Sequence, residues 1–459
     1  MAKPGTDRAR VSAAASQALA WLDARIDYER TPPNQPAAAA FGLDRMRRLL
    51  RALGNPQDRL PVVHVAGTKG KGSTVAMLAA ILEEAGLRTG RYMSPHVRTV
   101  AERISIDGAP IGRAELAKSL AVVRPAVEAL DVAAARRGGR GPTWFEILTA
   151  AAFEHFVRSR VDIAVLETGL GGRLDATNVS RPLVSVITSI SFDHMGLLGR
   201  TIGRIAGEKA GIIKRGCPVV SGAVQPAARR VIAETARRRR ARLVQLGRDF
   251  LAGYEPPAGA AAPFTLGHVV VSAPAGATAA YRLGMAGRHQ ADNAALAVMA
   301  ARELATRGVA VDEAAIARGL ARARLPARLE ILARRPLLVV DGAHNVASME
   351  ALAAAVDPDL ARLTPRVLVF SASRDKQVEG MLAAVRGVFD EVVLTRYRIN
   401  PRAADIDRLR EACRAAGLPR PHVVEPPGEA VRLARRLAGA AGSVVVAGSF
   451  FLAGEIGSD

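Results

Sequence analysis

Pro61-Val62-Val63-His64-Val65-Ala66 runs directly into Gly67-Thr68-Lys69-Gly70-Lys71-Gly72-Ser73. The first six residues read as a short buried strand and the next seven as a glycine-rich turn. Leu78, Ile81, Leu82 and Ala85 then keep a helical spacing until Gly86 stops it. A phosphate group needs backbone N–H groups that can approach closely, which glycines allow. It also needs the positive end of a helix, read here as starting at Ser73. Lys71 offers a point charge, and Ser73 or Thr74 a hydroxyl beside Mg2+. The match to G-x-x-x-x-G-K-[ST] is imperfect, because Val65 stands where the first glycine belongs and Gly72 precedes the serine. The plain alternative is a glycine-rich turn between a strand and a helix.

The same alternation continues outward. Apolar runs at 163–166, 183–187 and 219–220 are separated by helical segments such as 147–157, which argues for a mostly parallel sheet covered on both faces. At 254–285 the character changes to a small antiparallel hairpin, with strands at 264–271 and 279–283, before helix returns over 287–305. A second α/β series starts near Leu325, with strands expected at 337–340, 367–370, 392–394, 422–424 and 444–446. The boundary falls in the arginine-rich stretch 321–326, dividing the chain into 1–322 and 323–459. Ahead of the glycine loop, 13–47 reads as helix–loop–helix, broken by Pro32-Pro33-Asn34-Gln35-Pro36.

Composition narrows the class. The 459 residues are 49% apolar and 23% charged, which excludes global disorder. No apolar run reaches the roughly 18 residues a membrane span needs. Residues 1–15 lack the apolar core of a secretory signal, and two cysteines do not make a disulfide scaffold, so a cytoplasmic protein without a membrane partner is expected. The 64 Lys and Arg against 43 Asp and Glu give +21, which on its own suggests nucleic acid. Yet 57 of these cations are Arg and 7 are Lys, spread along the chain, and aromatics are only 4% with no basic–aromatic interleaving. Where Arg is the default cation, a Lys marks a place that needs a compact amine.

Three polar groups fall just past apolar strands: Glu167 after 163–166, Asp193 and His194 after 183–190, and Ser94 after 89–92. In an open parallel sheet, ligands bind at the carboxyl ends of the strands. Glu167, His194, Ser94 and Lys71 are therefore expected to converge on one nucleotide and its metal. A hard cation prefers oxygen, so Glu167 and Ser94 suit Mg2+ better than His194, whose plain reading is a loop cap. Gly169-Leu170-Gly171-Gly172-Arg173-Leu174-Asp175 is a second glycine turn. Glu208-Lys209-Ala210-Gly211-Ile212 stands out through its lysine. Asp341-Gly342-Ala343-His344-Asn345 follows a buried strand of the second series, as does Gly448-Ser449.

Six segments in this order and spacing resemble the bacterial folylpolyglutamate synthase/dihydrofolate synthase family of the Mur ligase superfamily. They are the glycine loop, Ser94-Pro95-His96, 166–178, Asp193-His194, 208–212 and 341–345, and the likeness spans about 19–452. It implies a P-loop ATPase domain (1–322) with a mostly parallel sheet and a small antiparallel sheet, then a Rossmann-like glutamate-ligase domain (323–459). It implies ATP contacts at Gly67, Thr68, Lys69, Gly70, Lys71, Gly72, Ser73, Asn293, Arg328 and Asp341. It also implies magnesium ligands at Ser94, Glu167, His194 and Lys209, the last as a carbamate, an anionic oxygen ligand that arginine could not become. Pterin-side contacts map onto Phe41, Gly42 and Leu43, onto Thr143, Trp144, Phe145 and Glu146, and onto Leu174, Asp175 and Ala176. His344 is the candidate for the incoming glutamate's site, and with Lys71 and Lys209 makes the catalytic set. Lys69 is a departure, since the family usually has Asn there.

The activity implied is ATP-dependent amide ligation of L-glutamate to dihydropteroate or to a folate's glutamate tail through an acyl phosphate. ATP is a co-substrate, Mg2+ the metal, and the enzyme a monomer acting on small molecules and not on nucleic acid. Two rivals stand beside it. A cell-wall Mur ligase carries a nucleotide-sugar domain ahead of the P-loop, for which about sixty residues are too few. A nucleic-acid-dependent P-loop ATPase would account for the charge but shows no stacking stripe.

Overall fold

The computed structural model describes residues 4–30, 41–257, 263–273 and 278–456. The expected proline break at 32–36 lies outside them. Two parallel α/β sheets dominate. The first holds β1 (Val62–Ala66), β2 (Thr89–Tyr92), β3 (Ile104–Ile106), β4 (Ala109–Pro110), β5 (Ile163–Glu167), β6 (Val184–Ile187), β7 (Val219–Ser221) and β8 (Leu243–Gln245), in the order β4-β3-β2-β5-β1-β6-β7-β8. From β2 to β8 every pairing is parallel, and only β3 and β4 join antiparallel at one edge. β1 and β5 are buried along their whole length, as expected of strands covered on both faces.

The helix Lys71–Glu84 follows β1 and packs on helices His289–Ala305 and Glu313–Arg322. Val63, Val65, Leu78, Ile81, Leu82 and Leu296 share its core. On the opposite face, Leu49, Leu50, Ile147, Phe153 and Phe156 form a second core. The expected hairpin is a three-stranded antiparallel sheet. β9 (Leu251–Glu255) pairs with β10 (His268–Ser272), and β10 pairs with β11 (Ala279–Arg282). The expected strand at 264–271 starts four residues late, because Phe264 takes a left-handed backbone (φ 56°) and cannot extend a strand.

The second sheet holds β12 (Glu330–Arg334), β13 (Leu337–Val340), β14 (Arg366–Phe370), β15 (Glu391–Leu394), β16 (His422–Val423) and β17 (Ser443–Ala447), in the order β12-β13-β17-β14-β15-β16. All five expected strands are present, and β12 adds an antiparallel edge.

Candidate functional site

Because β1, β2, β5 and β6 run parallel, the turns that follow them share one edge of the first sheet. The turn after β1 is stitched to the turn after β6. Thr68 N–H donates to Ser189 O at 2.7 Å, and the Thr188 hydroxyl donates to Lys69 O at 2.6 Å. Gly70 is the N-cap at φ 84°, so the helix begins at Lys71, two residues ahead of the expected Ser73. A Cβ on Gly70 would lie 2.0 Å from Asn293 Oδ1, so glycine is what lets Asn293 touch the loop. The Asn293 amide in turn donates to Gln290 Oε1 at 3.0 Å.

Lys71 Nζ lies 3.8 Å from Glu167 Oε1, and Glu167 Oε2 accepts from Ser94 N–H at 3.3 Å. Glu167 is buried. Burial pushes its carboxyl pKa up, and Lys71 opposes that rise. Lys209 reaches in from the helix Ile202–Ala210. It is 4% exposed, its Nζ donates to Gly67 O at 2.6 Å, and burial, then Lys71, pulls its pKa down to about 7. His194 sits half-exposed at φ 47°, its N–H bonded to Asp193 Oδ1 and its ring 3.8 Å from that carboxylate.

Residues around the second sheet lie close to the same loop, Arg328 near enough to act on Glu167 and His344 on Asp193. Asp341 directly follows β13 and accepts from Leu329 N–H (2.9 Å) and Ala343 N–H (2.8 Å). The Arg328 guanidinium lies 4.7 Å over the Phe450 ring, and His344 packs on the same ring at 5.2 Å. His344 Nδ1 is 2.8 Å from Gly342 O; burial, then Lys376, pulls its pKa down to about 4. Asp193 feels His194 and Lys71 from around the first sheet and Lys376 and His344 from around the second. Together they hold its carboxyl below the usual range against the effect of burial.

The three stretches assigned to the pterin side also meet. Phe41 packs edge-on against Tyr28 (5.3 Å), and Gly42 caps the helix Leu43–Ala52. That helix packs on the turn Ala176–Val179, which Asp175 caps, and Arg45 Nε donates to Glu146 Oε2 at 3.1 Å. Thr143 and Glu146 form a capping box, and Phe145 fills the space a Cβ on Gly169 would need. Leu174 is half-buried beside them. Arg103 was not singled out in the sequence. It is 2% exposed, donates to Glu29 through both terminal nitrogens (2.8 and 2.5 Å) and to His96 Nδ1 (2.9 Å), and lies 4.7 Å over Trp144. In a chain with 57 Arg, nothing local marks it.

Among the described residues no three His, Cys, Asp or Glu side chains gather as a metal group. The donor set expected for Mg2+ is of another kind: a hydroxyl, one carboxylate, one imidazole and a modified lysine. The site fits that need in one respect. Glu167 is a buried carboxylate balanced by a single lysine 3.8 Å away, and a Cβ on Gly72 would lie 3.6 Å from its Oε2. A hard cation would hold that carboxylate ionised.

A model of the Mur ligase middle domain matches residues 133–301, and one of the Mur ligase glutamate ligase domain matches 327–450. Dihydrofolate synthase/folylpolyglutamate synthase of Bacillus subtilis is 36% identical over 443 residues, covering 96% of this chain and 97% of that one. The chain belongs to the dihydrofolate synthase/folylpolyglutamate synthase family. Solved members share its whole architecture. Mycobacterium tuberculosis folylpolyglutamate synthase, complexed with ADP and AMPPCP, is 33% identical with a TM-score of 0.84, covering 98% of this chain and 99% of that one. Escherichia coli FolC, in complex with DHPP and ADP, is 30% identical with a TM-score of 0.80 over 96% of each chain. The mixed α/β fold with its small antiparallel sheet and C-terminal α/β unit is thus that of the dihydrofolate synthase/folylpolyglutamate synthase family.

Proposed function

We infer that this chain is an ATP-dependent ligase that joins L-glutamate to dihydropteroate or to the glutamate tail of a reduced folate. The observation that carries this reading is the convergence of Lys71, Glu167, Lys209 and Asn293 on the glycine loop, with Arg328 near enough to act on Glu167, His344 on Asp193 and Asp341 on His289.

The γ-phosphoryl group of ATP passes to the substrate carboxylate, and ADP leaves. The α-amine of glutamate then attacks the acyl carbon, the bond to phosphate breaks, and the amine's proton goes to solvent or a neighbouring base. Lys71 and the N–H groups at the start of its helix meet the charge on the phosphates. Ser94, Glu167, His194 and a carbamate on Lys209 would hold Mg2+, which neutralises phosphate charge when bound. Gly67 to Ser73 and Asn293 hold the nucleotide from one domain, Arg328 and Asp341 from the other. His344 faces the incoming glutamate, and the stretches around Phe41, Trp144 and Asp175 hold the pterin end. Closure of residues 323–459 on 1–322 excludes water from the anhydride. The enzyme works as a cytoplasmic monomer on small molecules, without nucleic acid.

The test is turnover. Purified protein with ATP, Mg2+ and L-glutamate should release ADP and phosphate in step with amide formation on dihydropteroate, tetrahydrofolate or both. Folded protein that turns over neither overturns the reading.

A further inference from the structure

His64 lies in the middle of β1, 0% exposed, where a valine would pack without polar cost. Its Nε2 is 2.8 Å from Thr177 Oγ1, and that hydroxyl is 2.5 Å from Asp175 Oδ1. The same carboxylate accepts from Thr177 N–H at 3.0 Å and, through Oδ2, from Leu170 N–H at 2.9 Å. With Asp175 ionised, the Thr177 hydroxyl gives its single proton to Oδ1 and must accept at its oxygen. The donor is then His64 Nε2–H, which leaves Nδ1 as a bare lone pair. Nδ1 is one of the buried atoms with no hydrogen-bond partner. A buried polar atom left unpaired is costly, so the ring is retained at a cost in stability.

We propose that Thr177 and His64 are positioning residues that hold Asp175 as an ionised, fixed acceptor for the pteridine end of the substrate. This rests on the reading of Asp175 as a pterin-side group. A pteridine ring presents a 2-amino group beside a ring N–H, a donor pair that a carboxylate matches only if it is ionised and correctly turned. The Thr177 hydroxyl and the backbone N–H groups of Leu170, Thr177 and Gly169 favour the carboxylate form, but burial outweighs them and leaves the carboxyl above its usual range, so each donor lost weakens the ionised form further. His64 stays neutral throughout: burial, then Lys214, depresses its pKa to about 3. The titratable groups facing this chain are Lys209 and the neutral phenol of Tyr92 toward Asp175 and Lys214 toward His64. Arg47, on the helix Leu43–Ala52, acts on Lys214.

The experiment compares Thr177→Val, which keeps shape and loses the hydroxyl, with Thr177→Ser, which keeps it. Asp175→Asn serves as the reference, and KM is measured separately for dihydropteroate, ATP and glutamate. Thr177→Val should raise the KM for dihydropteroate about tenfold, the scale of one hydrogen bond to a charged group, and leave the KM for ATP within about twofold. With one donor gone, the Asp175 pKa rises, so the acid limb of kcat/KM for dihydropteroate moves to higher pH. Thr177→Ser should restore both. His64→Leu should change KM and acid limb in the same direction, and provides the readout if Thr177→Val does not fold. If Asp175→Asn raises the KM and these variants do not, the proposal is overturned while the pterin-side reading stands. If Asp175→Asn leaves the KM unchanged, that reading and the proposal fall together.

Discussion

The side-chain nitrogen of Lys209 donates to the carbonyl oxygen of Gly67 across 2.6 Å, which ties the helix Ile202–Ala210 to the first residue of the phosphate loop. Lys209 is one of only 7 lysines, and a pKa near 7 keeps much of it as a neutral amine at physiological pH. A neutral amine is the form that attacks dissolved CO2, so removing CO2 and bicarbonate should lower turnover and restoring them should recover it. Lys209→Arg should be inactive and insensitive to bicarbonate. Activity that is unchanged in CO2-free buffer would sink the carbamate.

The same residue predicts a pH dependence of stability. The unfolded lysine titrates near 10.5 and the folded one near 7, so between these values the unfolded chain binds more protons and stability rises with pH. Lys209→Met in CO2-free buffer should therefore stabilise the fold most at the acid end of that window, and the advantage should fade toward pH 10. Denaturant midpoints measured for both proteins at several pH values check this.

How far such details were legible follows from how local their signals are. The turn after β1 announced itself because glycines and lysine occur there together, and the parallel strands through their apolar runs. β9 was not visible, since Leu251–Glu255 is an edge strand of alternating half-buried and exposed residues without an apolar run. β3 and β4 are three and two residues long, too short for a period. The helix starts at Lys71 and not at Ser73 because Gly70 turns the chain at φ 84°, which no residue pattern encodes, and Arg103 carries no local mark because its partner Glu29 lies 74 residues away. The site residues legible without the family resemblance were mostly those at strand ends, where the sheet itself gathers them; Lys209 stood out only as a rare lysine.

On the proposed reading Lys71 meets the phosphate charge directly and Glu167 through the metal, so their variants should differ in kind. Lys71→Met should lower kcat by about 10²–10³, the scale of losing one preorganised electrostatic partner of the transition state. Glu167→Gln should instead shift the Mg2+ concentration needed for half-maximal rate upward, with a milder loss at saturating metal. Titrating rate against Mg2+ for both variants separates the two. An equal metal dependence in wild type and Glu167→Gln would remove Glu167 from the ligand set.

A methyl group on Gly172 would lie 2.9 Å from Glu208 O and 3.0 Å from Lys209 O, both backbone atoms. The helix carrying Lys209 would have to move by several tenths of an ångström. Gly172→Ala should thus cut turnover by more than its loss of stability explains, because it displaces Lys209 from Gly67. Comparing kcat with the thermal midpoint checks this; full activity in a destabilised protein would show that the contact does not position the lysine.

Arg103 and Glu29 form a part-buried ion pair. The guanidinium is 2% exposed, whereas the Glu29 side chain keeps 36% of its exposure, so solvent screens part of the pair. Arg103→Met leaves a carboxylate that can still reach water, and the cost should be about 1–3 kcal/mol, below that of stranding a fully buried charge. Burial raises the Glu29 pKa, but Arg103 outweighs it and holds the group below its usual 4.5. A depressed carboxylate pKa stabilises the fold above the unfolded value, and that contribution is lost as pH falls through the folded one. The difference in unfolding free energy between wild type and Arg103→Met should therefore be largest above about pH 5 and shrink on acidification. Urea titrations at pH 7 and pH 4 measure it, and a gap that stays constant or widens in acid would show that the pair contributes through packing on Trp144 alone.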